Sequence, residues 1–246
     1  MEVINDLVGY ENRKIFQNNN WFCFSVDALL LANFTIVKTN KQKILDLGTG
    51  VLPIPLLLSL KTESAIDAVE IQKDLYELAL KSLKLNKLEK QITLYLQDMK
   101  DFAKKKEPNC YDIITVNPPY FKINNDVLVN NDIHKKYARF EYKINIEDIL
   151  NIAKKLLKNN GSLFMISRVE RFTEIINTFE KNNIKVKKIQ FIYQQNNKES
   201  KLFLIEGRKN ANDGVKILKP LILYDNNFNK TKKYKEIIGE LSDEKK

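Results

Sequence analysis

The sequence predicts an α/β fold, a mostly parallel sheet with helices on both faces. Three observations carry that expectation. An apolar run, Ile44-Leu45-Asp46-Leu47, ends in the glycine turn Gly48-Thr49-Gly50. Strand-like and helix-like apolar runs then alternate along the chain. The strand-like runs end in polar or turn residues, at the strand end where open α/β sheets hold their ligands.

Residues 1–40 read as an N-terminal extension meant to pack over a ligand pocket. It carries an aromatic cluster, Trp21 to Phe24, and Ser25 is a suitable N-cap for a helix from Val26 to Phe34. Pro53 to Leu60 reads as a helix whose first turn tolerates proline. Ala65 to Val69 is a strand ending in Glu70, and Ile92 to Leu96 a strand ending in Gln97-Asp98. Between them, Leu75, Leu78, Ala79, Ser82, Leu83 and Leu85 recur at helical spacing over 74–88. Ile113 to Val116 is a buried strand. Ile146, Ile149, Leu150, Ala153, Leu156 and Leu157 mark a helix that Asn159-Asn160-Gly161 is expected to cap. Ser162 to Ile166 is a further strand and Val169 to Lys181 a further helix. Lys185–Tyr193 and Leu202–Gly207 are two final strands placed to form an antiparallel hairpin. The α/β unit therefore spans 41–210, and 211–246 is a C-terminal extension with a basic run, Lys230-Thr231-Lys232-Lys233-Tyr234-Lys235.

Forty-one Lys and Arg against 31 Asp and Glu give a net charge of +10. Such a balance suits a polyanion partner, because neutralising phosphates supplies sequence-independent affinity. A Lys-, Asn- and Ile-rich composition accounts for the charge equally well. No apolar run approaches the length of a membrane span. The opening residues, Met1 to Asp6, lack the basic and apolar parts of a signal peptide, so a cytoplasmic location is expected. Two cysteines, Cys23 and Cys110, form no metal pattern, and the single His134 excludes a site needing two imidazoles. No metal, no membrane contact and a monomeric state are the expectations.

The stretch Asn117-Pro118-Pro119-Tyr120 carries the most chemistry. At a strand end, the Asn oxygen and a proline-region carbonyl can each accept one hydrogen of an exocyclic amine. A tyrosine ring can stack on the base that bears it. Upstream, glycine lets the backbone approach a ligand closely, and the helix after it points N–H groups there. Glu70, about 20 residues beyond the glycine turn, is spaced to accept from the hydroxyls of a ribose. Asp98 can accept from an adenine amino group.

Together these residues resemble the class I S-adenosylmethionine-dependent methyltransferases. Ile15-Phe16-Gln17, the Phe22 to Ala32 segment, Ala138-Arg139-Phe140-Glu141 and Glu206-Gly207-Arg208 narrow the likeness. In that order they are similar to the tRNA1(Val) adenine-37 N6-methyltransferase family, over most of the chain. The resemblance implies a Rossmann-like sheet of seven strands with an antiparallel last strand. It implies S-adenosylmethionine as cofactor and the N6 of an adenine beside a tRNA anticodon as acceptor. The catalytic set would be Asn117, Pro118, Pro119 and Tyr120. The cofactor set would be Asp46, Gly48, Gly50, Glu70, Ile71, Asp98, Met99 and Asn117. The Asn-rich segment from Phe121 to Arg139, with Lys122, Lys135, Lys136 and Arg139, is the expected contact for the anticodon stem-loop. One departure stands out: Val51-Leu52 occupies the place where the family carries Asn-Gly. A Leu there is expected to displace or rotate the following helix and to alter cofactor binding. Since N-P-P-Y is shared with enzymes acting on DNA adenine and on protein glutamine, a protein-glutamine N5-methyltransferase remains an alternative. So do a non-catalytic RNA-binding module and a nicotinamide-dependent oxidoreductase.

Overall fold

A computed structural model describes residues 2–18, 24–118 and 145–241. Pro119, Tyr120, Lys122, Lys135, Lys136 and Arg139 lie outside the described residues, as do Trp21 and Phe22 of the aromatic cluster. Among the described residues, the main sheet has nine strands. Its centre is β3 (Ile44–Leu47), flanked by β4 (Ile66–Glu70) and then β5 (Ile92–Leu96) on one side. On the other side come β6 (Tyr111–Val116), β7 (Leu157–Arg168), β9 (Ser200–Lys209) and β8 (Ile184–Tyr193). β9 is antiparallel to both neighbours, so β8 again runs with β7 and β6. These seven strands are the expected sheet. Two short strands from the C-terminal extension, β10 (Lys216–Ile217) and β11 (Leu221–Ile222), add to β8 in parallel.

Helices cover both faces, and each face has its own apolar core. On one side lie α1 (Val26–Phe34), α2 (Pro53–Leu58), α3 (Lys73–Leu85) and α7 (Lys232–Ile237). On the other lie α4 (Met99–Lys105), α5 (Ile146–Leu156) and α6 (Phe172–Lys181). α1 starts where expected, with the Ser25 hydroxyl accepting from the Asp27 N–H at 3.3 Å. α3 buries Leu75, Leu78, Ala79, Ser82 and Leu83. Leu85, expected on the same face, is 44 % exposed because the helix ends there and the stripe has no further turn to continue on. A short 3-10 turn, Val169–Arg171, precedes α6. No helix among the described residues is long and apolar enough to cross a membrane.

The helix α4 and the strands β10 and β11 were not foreseen, and two further features depart from the sequence reading. The N-terminal segment forms an antiparallel hairpin, β1 (Glu2–Leu7) with β2 (Tyr10–Asn18). It docks on α3, where the Phe16 N–H donates to Ser82 Oγ at 2.9 Å and Asn86 exchanges hydrogen bonds with the Lys14 backbone. Asn159-Asn160-Gly161 does not cap α5 either. The helix stops at Leu156 and β7 begins at once. Pairing with β6 moves from Tyr111↔Leu157 to Ile113↔Ser162, so residues 158–161 bulge opposite Asp112 alone, with Asn160 left-handed at φ 62°. Local turn propensity is satisfied inside a strand rather than at a helix end.

Gly207 has a packing reason. A Cβ there would stand 2.5 Å from the Phe179 ring, which is fully buried. Gly207→Ala is expected to lower stability by about 1–3 kcal/mol, the usual cost of overpacking a filled core. Urea denaturation checks it, and an unchanged midpoint would refute the packing argument.

Candidate functional site

After β3 the chain fills positions on one side of it, β4 and β5, and then returns to the other side with β6. The crevice at such a reversal lies at the carboxyl ends of the strands. Pairing is in register, Leu47↔Val69 and Leu47↔Val116. Gly48, Glu70 and Asn117 therefore sit on three neighbouring strand ends, although the first and the last are far apart in sequence. β5 adds Gln97-Asp98 beside Glu70, through the pair Glu70↔Leu96.

The glycine turn is held from β4. Gly48 and Gly50 have φ of 67° and 58°, a left-handed conformation that glycine adopts without strain. The Thr49 N–H donates to the Val69 carbonyl at 3.0 Å. The Gly50 N–H donates to Glu70 Oε2, and the Gln72 N–H to Oε1, each at 2.8 Å. Glu70 is buried, which pushes its carboxyl up, while the N–H groups of Gln72 and Gly50 pull it back. Each oxygen keeps acceptor capacity for a further donor, as a ribose hydroxyl requires. A Cβ on Gly50 would meet nothing within 4 Å, so the turn borders open space.

Leu52 adopts the conformation that a glycine would favour. It is the N-cap of α2 with φ 80° and ψ 21°, and its side chain is fully buried. A left-handed L-residue costs roughly 1–2 kcal/mol. Burying a Leu side chain contributes about 1.5–3 kcal/mol and offsets that cost. α2 then begins at Pro53 with all its residues buried.

Beneath the turn lies a buried polar cluster. Asp46 is fully buried and its Oδ1 accepts from the Thr115 hydroxyl at 2.6 Å. Burial drives the Asp46 carboxyl from its ordinary 3.8 up to about 7, against that hydrogen bond. Asp46 Oδ2, the Thr49 hydroxyl and the Gln97 side-chain amide nitrogen are buried with no hydrogen-bond partner among the described residues. Asp98 caps α4, accepting from the Lys100 N–H at 2.7 Å through one oxygen. The Met99 side chain comes within 3.6 Å of where a Gly48 Cβ would stand. Ile71 is 37 % exposed just beyond Glu70. Asn117 is partly buried and Pro118 buried, directly after β6.

This donor and acceptor set fits S-adenosylmethionine. The molecule carries an ammonium, two ribose hydroxyls and an adenine amine as donors, and the crevice offers the carboxylates of Asp46, Glu70 and Asp98. Among the expected residues, Asp46, Gly48, Gly50, Glu70, Ile71, Asp98, Met99, Asn117 and Pro118 line one end of the sheet. Thr49, Gln97 and Thr115 were missed. Thr115 did carry a signal, being a lone polar residue in an apolar strand, but its register partner Asp46 could not be known from spacing.

Glu70→Ala is expected to cut S-adenosylmethionine affinity by roughly 1.5–3 kcal/mol, the worth of charged hydrogen bonds. It should also destabilise the ligand-free protein, since the Gly50 and Gln72 N–H groups lose their acceptor. Calorimetry and thermal melting test the two effects, and loss of neither would remove Glu70 from the site. Asp46 gives a pH signature. Its folded pKa is raised, so between about pH 4 and pH 7 the folded chain holds a proton that the unfolded chain has shed. Stability therefore falls as pH rises through that window, by up to roughly 4 kcal/mol, since one pKa unit is about 1.4 kcal/mol. Asp46→Asn should remove that component of the slope, measured by chemical denaturation at a series of pH values. An identical slope in the variant would show that Asp46 titrates normally.

Comparison with known proteins gives the same picture. The family described as "Methyltransferase small domain" matches residues 24–194. A tRNA1(Val) (adenine(37)-N6)-methyltransferase of Flavobacterium psychrophilum is 26% identical over 216 residues, 86% of this chain and 91% of the relative. Its counterpart in Flavobacterium johnsoniae is 30% identical over 168 residues, 67% of this chain and 70% of the relative. Among solved structures, a predicted O-methyltransferase from Agrobacterium tumefaciens superposes with a TM-score of 0.68 at 18% identity, covering 87% of this chain and 95% of that one. That last likeness is one of fold. The family match over residues 24–194 and the extent of these relatives place the chain in the methyltransferase small domain family, among the tRNA1(Val) (adenine(37)-N6)-methyltransferases.

Proposed function

We propose that this chain methylates the exocyclic N6 of adenine 37, beside the anticodon of a tRNA, and that Asn117 and Pro118 hold the accepting amine. The observation that carries the reading is the pairing of β3 with β6. It sets the glycine turn and the Asn117-Pro118 segment side by side, the arrangement a methyl donor and its acceptor need. The relatives named above are tRNA enzymes, which favours RNA over a protein amide as the acceptor. We assign residues 41–210 to the catalytic unit, 1–40 to a cover over the pocket and 211–246 to a basic extension. The cytoplasm, where tRNA is found, is the proposed location.

Bound S-adenosylmethionine supplies an electrophilic methyl on a sulfonium. The chain's part is to make a poor nucleophile attack it. The adenine N6 lone pair is delocalised into the ring. Acceptance of one N–H by Asn117 Oδ1 and the other by the Pro118 carbonyl localises the pair and aims it. Proline fixes φ and brings no competing donor, so its region keeps the carbonyl in place. Tyr120 serves as the stacking surface for the base. The surplus proton leaves to water after transfer, so no strong general base is required. Positioning and preorganised dipoles supply most of the acceleration. A loop adenine suits such an enzyme, because it is cheaper to extrude than a stacked duplex base.

Asn117→Ala is expected to slow single-turnover methylation of an adenine-containing anticodon stem-loop roughly 100-fold or more, the cost of one preorganised polar group. Cofactor affinity should change little. A wild-type rate in this variant would reduce the segment to a structural turn and overturn the assignment.

A further inference from the structure

Phe228 is the most exposed large apolar side chain among the described residues, at 69 %. It stands on a turn built to hold it. The Asp225 carboxylate accepts from the N–H groups of Asn227 and Asn229, both at 2.9 Å, and from the Asn229 side chain at 3.2 Å. The backbone closes the turn through Phe228 N–H to the Asp225 carbonyl at 3.1 Å and Asp225 N–H to the Asn229 carbonyl at 2.9 Å. Gln195, just beyond β8, donates to the Asp225 carbonyl at 3.0 Å and ties the turn to the sheet. Phe228 itself is left-handed, with φ 62°. A bulky residue is strained there, and an apolar ring gains nothing locally from facing water. Gly or Asn would suit the fold better.

The turn's position and surroundings indicate what the ring meets. β11 pairs with the last two residues of β8, Leu221↔Ile192 and Ile222↔Tyr193. β8 runs parallel to β6 and β7, so the turn projects from the same end of the sheet as Gly50, Glu70 and Asn117. Its neighbours Asn226, Asn227 and Asn229 are exposed amides, so the ring does not belong to an apolar docking patch. The chain continues into α7 with Lys232 and Lys235, which carry no ion pair among the described residues. Hydrogen bonds from Asn229 hold the Asp225 carboxyl below its ordinary range and Lys235 also draws it down, so the turn and the helix share one field. An exposed aromatic ring followed within a few residues by lysines outside any ion pair is an arrangement that suits single-stranded nucleic acid, bases on the ring and phosphates on the lysines.

We propose that Phe228 is a stacking platform for an unpaired base of the substrate tRNA, outside the methyl-transfer pocket, with Lys232 and Lys235 on the adjoining phosphates. The proposal rests on the reading of the protein as a tRNA methyltransferase. It makes Phe228 a positioning residue that acts on RNA capture and not on the chemical step.

The test uses the full chain and full-length tRNA, with binding titrations and steady-state methylation of Phe228→Ala, Phe228→Trp and Phe228→Leu. Phe228→Ala should raise the tRNA Kd and KM roughly 5- to 150-fold, the range for loss of one base–aromatic stack. Turnover at saturating tRNA and affinity for S-adenosylmethionine should hold. Phe228→Trp should restore binding, and Phe228→Leu, apolar but without a π face, should not. Wild-type Kd in Phe228→Ala would overturn the proposal. So would full rescue by Leu, which would indicate simple apolar contact, or a loss of self-association at unchanged Kd. A wild-type protein that methylates no tRNA would overturn the functional reading instead, and the binding titration would still decide the role of Phe228.

Discussion

The site depends on the parallel pairing of β3 with β4 on one side and β6 on the other. Ile44 to Leu47 match Ile66 to Val69 and Ile113 to Val116 residue for residue. Because side chains alternate across a sheet, a slip of one residue would turn Asp46 out of its cluster and bring Leu45 or Leu47 into it. The register is specified by burial on both faces, with Ile44 packing into one core and Leu45 and Leu47 into the other. Strand ends, and the turns that leave them, are positioned by that lock.

On this frame the protein buries polar groups at some cost. Asp46, Thr49, Thr115 and Glu70 are all nearly or fully buried. An unmet polar atom in the interior weakens the fold, and a carboxyl whose pKa is pushed up is one the fold holds at a disadvantage when charged. The same groups are aimed before any ligand arrives, which is what binding and catalysis draw on. Glu70 links the two roles. It fastens the glycine turn to β4 through Gly50 and Gln72, and each of its oxygens keeps capacity to accept a further hydrogen bond.

The N-terminal hairpin and the C-terminal helix meet each other. The Gly9 N–H donates to the Ile238 carbonyl at 2.9 Å, and the Tyr10 hydroxyl to the Ile237 carbonyl at 3.0 Å. A Cβ on Gly9 would stand 2.4 Å from the Gly239 carbonyl carbon, so glycine there is a matter of space. Tyr234, Ile237 and Ile238 complete the core that α1, α2 and α3 build. The C-terminal extension thus packs as part of the globular unit and carries its lysines on a fixed scaffold.

The alternation of apolar runs, the glycine turn and the polar residues at strand ends were enough to determine the α/β class, most of its helices and the acids that stand at the strand ends. These are local signals, set by periodicity of 2 or 3.6 and by the special backbone of glycine. The N-terminal hairpin was not legible, because its stability comes from Ser82 and Asn86 of α3, which no local pattern in 2–18 announces. The bulge at 158–161 was not legible either, since Asn-Asn-Gly suits a helix cap and a strand bulge equally. From sequence Leu52 looks like an obstacle, yet the fold accepts its left-handed backbone and buries its side chain. Tertiary structure alone decided that Thr115 faces Asp46, and that the glycine turn and Asn117 share one crevice. Both follow from which strands lie side by side and in what register, and that is a balance of long-range packing that no window of sequence contains.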